Sequence, residues 1–227
     1  MVLHQHVESV YHDMKLNNRF YAKIFKEAVD VDYLSIWTTG ILALVQHTPL
    51  HLNLARKISQ ERNLNELERY FANKIPEEQG HDEWAIRDLD LQRSYKPQLS
   101  IEELPVLPEM HCMIRFIENT IRADPKMYLA YIFFAEYMTV LSTPDLIEGL
   151  ESNSGISGKA ISILGNHADL DKEHVSHWTS EVSDIIDFEK DKDSLIGVID
   201  QAAKLYITFC NAIFDYREKV FIKEARG

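Results

Sequence analysis

Cysteine, glycine and proline are all scarce in this chain of 227 residues, which holds two, eight and seven of them. Cys112 and Cys210 cannot build a disulfide framework, and so few cysteines fit a reducing compartment. Positive charge is also short, with 24 Lys and Arg against 36 Asp and Glu, a formal balance of −12. Each phosphate contact wants a Lys or Arg, so nucleic acid and anionic membrane surfaces are not expected as partners. The longest stretch free of Asp, Glu, Lys and Arg, residues 33–55, is interrupted by Gln46, His47, Pro49 and His51. It reads as a buried, kinked helix, not a membrane span. The first fifteen residues or so alternate His, Glu and Asp with few apolar side chains, unlike a secretory signal, and a cytoplasmic location is expected.

Hairpin dipeptides of the Asn-Gly or Asp-Gly kind are missing, and the glycines and prolines fall mostly between long helical patterns. The expected fold class is therefore all-α. Helices are predicted at about 2–14, 18–29, 31–61 with a bend at Pro49, 63–94 disturbed at Pro76, 106–122, 126–142, 156–187 and 192–224. Connections are predicted around Pro97 to Pro108, at Asp124-Pro125, at Thr143-Pro144-Asp145 and over Glu151 to Gly158. No repeat or long linker divides the chain, so a single domain over 1–227 is expected.

What the sequence does contain is polar residues on faces that should point inward. Along the helix from Gly158 to Asp187, Ala160, Ile161, Leu164, Ala168, Val175, Trp178, Val182 and Ile185 share one arc. His167, Asp171 and His174 fall inside or beside that arc, while Asp169, Lys172, Glu173, Glu181 and His177 do not. An ionised carboxylate buried without a partner costs several kcal/mol, so something must compensate Asp171. A buried His/Asp hydrogen-bond pair is the plain explanation for one such residue. Three on successive turns suit a divalent metal better. Glu136 raises the same question, as the one charged residue among the seventeen from Met127 to Thr143; a long-range ion pair is its plain explanation. Glu78 and His81 have the Glu-x-x-His spacing that serves paired metals in carboxylate-bridged bundles, although acid-rich stretches are commonly solvated faces. Glu78, His81, Glu136, His167, Asp171 and His174 together form a ligand set suited to iron or manganese rather than to copper or a structural zinc.

In order and spacing this set, Glu78-x-x-His81, then Glu136, then His167-x-x-x-Asp171-x-x-His174, resembles the heme-oxygenase-like diiron oxidase and oxygenase family. Relatives of that family include thiaminase II and pyrroloquinoline quinone synthase. Gly155-Ile156-Ser157-Gly158 and the run His47-Thr48-Pro49-Leu50 with Leu54-Ala55 also look like the family, so the similarity spans residues 33–178. The resemblance implies a heme-oxygenase-like bundle of seven to eight helices, often a homodimer. It also implies a non-heme diiron centre, two irons per chain with manganese as the alternative. Such a centre activates O2 to oxidise a fatty acid, amino acid or aromatic precursor, with Glu136 and Asp171 as catalytic carboxylates that shift with the iron's oxidation state.

The chain departs from the family in two ways. Many members carry a Glu seven residues before the His, where Lys74 stands here, leaving Glu78 or Glu77 as the first-segment ligand. A carboxylate supplied by some members from the preceding helix has no counterpart between Tyr33 and Glu61. His12 reads as a solvated residue, not a heme ligand, and Cys112 and Cys210 as buried structural thiols, not a thiaminase II nucleophile. Tyr131, Phe133, Phe134, Tyr137 and Met138 are candidates to line a substrate pocket, with Arg115, Arg122 or Lys204 as cations for a substrate carboxylate. Two other readings remain: a metal-free thiaminase II-like enzyme or small-molecule binder on the same scaffold, and a non-catalytic helical interaction protein.

Overall fold

The computed structural model describes residues 2–97 and 103–224, with side chains to residue 218. Nine α-helices make up the described residues: α1 (Val2–Asn17), α2 (Arg19–Lys26), α3 (Val31–Glu61), α4 (Asn65–Glu77), α5 (Asp82–Tyr95), α6 (Pro108–Ala123), α7 (Tyr128–Gly149), α8 (Ser162–Glu181) and α9 (Phe188–Glu224). Among them no strand occurs, and no helix is long and apolar enough to cross a membrane.

Starts and stops follow local chemistry. Asn18 caps α2 by accepting from the Phe20 and Tyr21 amides, and Asp30 caps α3 through Asp32. Pro108 opens α6, where its missing N–H is no loss. The helix α3 runs through Pro49 as expected, packing on α4, α5 and α6, while α7 packs on α8, α1, α2 and α9. Apolar nearly all round, α7 buries Leu129, Ala130, Phe133 and Phe134 in the core.

Two predicted boundaries are corrected. The single helix expected over 63–94 is two, because the turn between α4 and α5 contains Gly80 at φ 83, a left-handed conformation that glycine adopts without strain. Glu78 and His81 thus flank a turn; they do not share a helix face. The connection expected at Thr143-Pro144-Asp145 is helical, since α7 continues to Gly149 and into a π-turn over Leu150–Ser154. Buried Leu146 and Leu150 hold this extension on the core, so tertiary packing outweighs the backbone hydrogen bond that Pro144 cannot donate. At the other predicted junction, a short 3₁₀ turn, Gly158–Ile161, precedes α8, which ends at Glu181.

Candidate metal centre

The helix α8 begins without a cap of its own, because Ile161 offers no side-chain acceptor. Its cap comes from α5 instead. The Asp88 carboxylate accepts from the Ser162 amide at 2.8 Å, the Ser162 hydroxyl at 2.5 Å and the Ile163 amide at 2.8 Å. Burial raises the Asp88 pKa, and these hydrogen bonds pull it back. Because α5 starts beside His81, this bond set ties one end of the site to the helix carrying the other. Gln92 adds a second tie, donating to the Ala160 carbonyl at 2.7 Å and the Thr38 hydroxyl at 2.8 Å.

Along α8 the burial pattern follows the predicted arc. Asp171 is buried and His167 and His174 are half-buried, whereas Asp169, Lys172, Glu173, His177 and Glu181 are exposed. The six candidate ligands fall into two groups of three, Glu78 with His81 and His167, and Glu136 with Asp171 and His174. Within each group one ligand atom per residue lies within 4.8 Å of the others.

In the first group, His81 Nδ1 is 3.2 Å from Glu78 Oε2. The His81 ring stacks on Trp84, with centroids 4.3 Å apart, and meets His167 edge-on at 4.7 Å. His167 Nδ1 is 2.7 Å from the Ile163 carbonyl, which can only accept, so Nδ1 donates and Nε2 is the nitrogen left for a ligand. Burial pushes the Glu78 pKa up, but the hydrogen bond with His81 and the charges of His167, His81 and Lys74 outweigh it and hold the carboxyl low. Glu77 points elsewhere, its Oε2 3.9 Å from His174 Nε2 and 3.3 Å from Lys74 Nζ.

In the second group, His174 Nδ1 stands 3.6 Å from both Glu136 Oε1 and Asp171 Oδ1. Ligands on one ion with bonds of about 2.1 Å are roughly 3.0–3.4 Å apart, so a small contraction would suffice. Glu136 Oε2 and His174 Nδ1 are buried and have no hydrogen-bond partner. An orphaned carboxylate oxygen beside a second carboxylate fits a cation. Asp171 and Glu136 raise the His174 pKa to about 10. Burial raises that of Asp171 against the pull of the nearby His174, with Glu136 and Glu78 adding to the rise and His167 opposing it. Asp171 therefore feels both groups.

In the sequence Lys74 stood out as a departure from a pattern. It is buried, and its Nζ is 3.2 Å from Glu136 Oε1. Burial alone would lower its pKa; Glu136 and Glu77 outweigh that and raise it.

Between α3 and α7, both groups border an apolar cavity of about 160 Å³. Tyr131, Phe134 and Met138 line it as expected, joined by Tyr21, Trp37, Tyr128 and Tyr206. Phe133 and Tyr137 do not: Phe133 packs on Trp178, and Tyr137 donates to Glu8. Arg115, Arg122 and Lys204 are exposed and line no part of the cavity; its cation is Lys74. At the far end Trp37 Nε1 donates to the Tyr206 hydroxyl at 3.1 Å, itself 3.3 Å from the Tyr21 hydroxyl. Cys210 is buried as expected; Cys112 is exposed, a correction, because it faces outward on α6.

By sequence, no protein-family model and no curated protein matches the chain. By structure, it is similar to a domain of unknown function with a heme oxygenase-like fold from Shewanella denitrificans OS217. There the TM-score is 0.82 at 16% identity, over 96% of this chain and 92% of that one. It is also similar to a CADD-like protein of unknown function from Nostoc punctiforme PCC 73102, with TM-score 0.66 at 12% identity, over 94% and 97%. The chain has a heme oxygenase-like fold.

Proposed function

We propose that this heme oxygenase-like bundle is an iron-dependent oxidoreductase that activates O2 to oxidise a small organic substrate in its apolar cavity. One observation carries the reading: two adjacent carboxylate and histidine triads, largely buried, open on that cavity. The donor set fits iron or manganese, with one carboxylate and two imidazoles in the first triad, two carboxylates and one imidazole in the second, and no thiolate. Glu78, His81 and His167 would hold one ion, Glu136, Asp171 and His174 the other. Bound iron would supply the electrons and open coordination positions that O2 chemistry needs.

The chain's own groups supply the rest. The Nδ1–H bond to Ile163 orients His167 and leaves Nε2 to bind, while Trp84 fixes the plane of His81. Glu136 and Asp171, with an orphaned oxygen on Glu136 Oε2, have spare acceptor capacity for a shift in coordination or for a proton. The aromatic walls exclude water and match a substrate in size. A dry cavity of about 150 Å³ holds benzene, so 160 Å³ suits a single ring or a short chain better than a long fatty acid.

A metal-free reading has one observation in its favour: Lys74 and a protonated His174 would neutralise Glu136 and Asp171 without any ion. Anaerobic loading with Fe(II) followed by O2 separates the two. The expected result is O2 consumption with a transient visible absorption. Iron bound at both triads with no O2 uptake would remove the oxidase reading, and no iron bound would favour the metal-free one.

A further inference from the structure

The two triads are not electrically alike. Lysine is almost never fully buried unless paired, and Lys74 is buried with its ammonium against a ligand oxygen of only one group, Glu136 Oε1 at 3.2 Å. That oxygen also faces His174 Nδ1, so it points to where a second ion would sit. Glu78, His81 and His167 have no such ammonium in contact.

Resting on the metal-centre reading above, we propose that the triads bind metal unequally. Glu78, His81 and His167 take the first, tightly held ion. Lys74 is a built-in cation that weakens the Glu136, Asp171 and His174 site, and the second ion enters only as the ammonium withdraws.

Withdrawal has a direction. Lys74 lines both the inner apolar cavity and an outer polar cleft of about 320 Å³, where Glu66, Glu77 and Glu181 are found. Its Nζ is already 3.3 Å from Glu77 Oε2, so a rotation outward exchanges Glu136 for acids at the surface. If the ammonium stayed, it would be a like charge within a few ångström of the incoming ion. Even a heavily screened contact of that kind weakens binding by about tenfold or more. Lys74 therefore acts as resident counter-charge and as the partition between cleft and cavity. The protein discriminates one-metal from two-metal states through metal supply.

The test is an anaerobic Mn(II) titration of the full chain, following free Mn(II) by electron paramagnetic resonance. The proteins are the wild type, Lys74→Gln, Lys74→Met, His167→Ala and His174→Ala, each checked for helicity by circular dichroism. The wild type should bind in two steps separated by about tenfold or more, and both Lys74 variants should tighten the weaker step by about tenfold while the tighter one stays within about threefold. His174→Ala should lose the weaker step and His167→Ala the tighter one, assignments that hold with Lys74 in place even if its variants fold poorly. Two equal steps in the wild type, or a weaker step unmoved by both Lys74 substitutions, overturns the inequality while leaving the metal centre standing. No binding by the wild type or by either Lys74 variant overturns both.

Discussion

Replacing Asp88 by alanine should cost the fold more than its distance from the six candidate ligands suggests. Its carboxylate is the N-terminal cap of α8, supplied across the helix interface, and it is 1% exposed. Truncation strands two helix-end amides and a hydroxyl. A lost cap costs about 1–2 kcal/mol, and hydrogen bonds to a charged group contribute about 1.5–3 kcal/mol each. Burial works against this, since it raises the Asp88 pKa and so disfavours the charged form. The expected net loss is about 3 kcal/mol for Asp88→Ala and about 1 kcal/mol for Asp88→Asn, which keeps one acceptor oxygen. Urea unfolding followed by circular dichroism measures both, and the alanine loss corresponds to a Tm fall of roughly 6–12 °C at this chain length. Because α8 carries His167, Asp171 and His174, the stabilisation conferred by added Fe(II) should shrink in the same variant. An alanine variant within about 0.5 kcal/mol of the wild type, or an asparagine variant as damaged as alanine, would refute the capping argument.

Three further outcomes follow from packing and burial. Gly149→Ala should destabilise by about 1–3 kcal/mol, because a Cβ there would lie 2.8 Å from the Ile24 carbonyl oxygen, a backbone atom that cannot step aside. Gly165→Ala, on α8 with nothing within 4 Å of its Cβ, should instead stabilise by about 0.5–1 kcal/mol, and thermal unfolding of the pair gives the contrast. Burial, helped by His47, lowers the His51 pKa from 6.5 to about 4. Between those values the unfolded chain binds a proton that the folded one refuses, so stability falls as pH drops from 6.5 to about 4, by up to about 3 kcal/mol. His51→Leu should flatten that part of the pH profile; an unchanged slope would contradict the burial argument.

The helical class and most element positions were legible in the sequence because long amphipathic periods and sparse turn residues leave few alternatives. The misreadings have physical causes. Pro144 looked like a terminus, yet buried Leu146 and Leu150 carry α7 past it. The disturbance was read at Pro76, but the left-handed φ of Gly80 turned one helix into two and moved Glu78 and His81 onto a turn, where they still meet at 3.2 Å. On α8 the test for polar residues on an apolar arc sorted the buried from the exposed ones. The same test applied to α5 would have found Asp88, in phase with buried Ala85, Leu89 and Gln92. Lys74 is likewise in phase with buried Leu67 and Phe71 of α4, so the same test would have found it too. Its partner could not be found that way, because only the approach of α7 gives it Glu136.

Metal in the triads is what the proposed chemistry requires first. Diffraction from crystals soaked anaerobically with Fe(II), recorded at the iron absorption edge, should give anomalous density among Glu78, His81 and His167, with any second peak among Glu136, Asp171 and His174. His167→Ala should abolish the first peak. Crystals soaked at saturating Fe(II) that show no anomalous density at either triad would contradict the metal centre and the chemistry built on it.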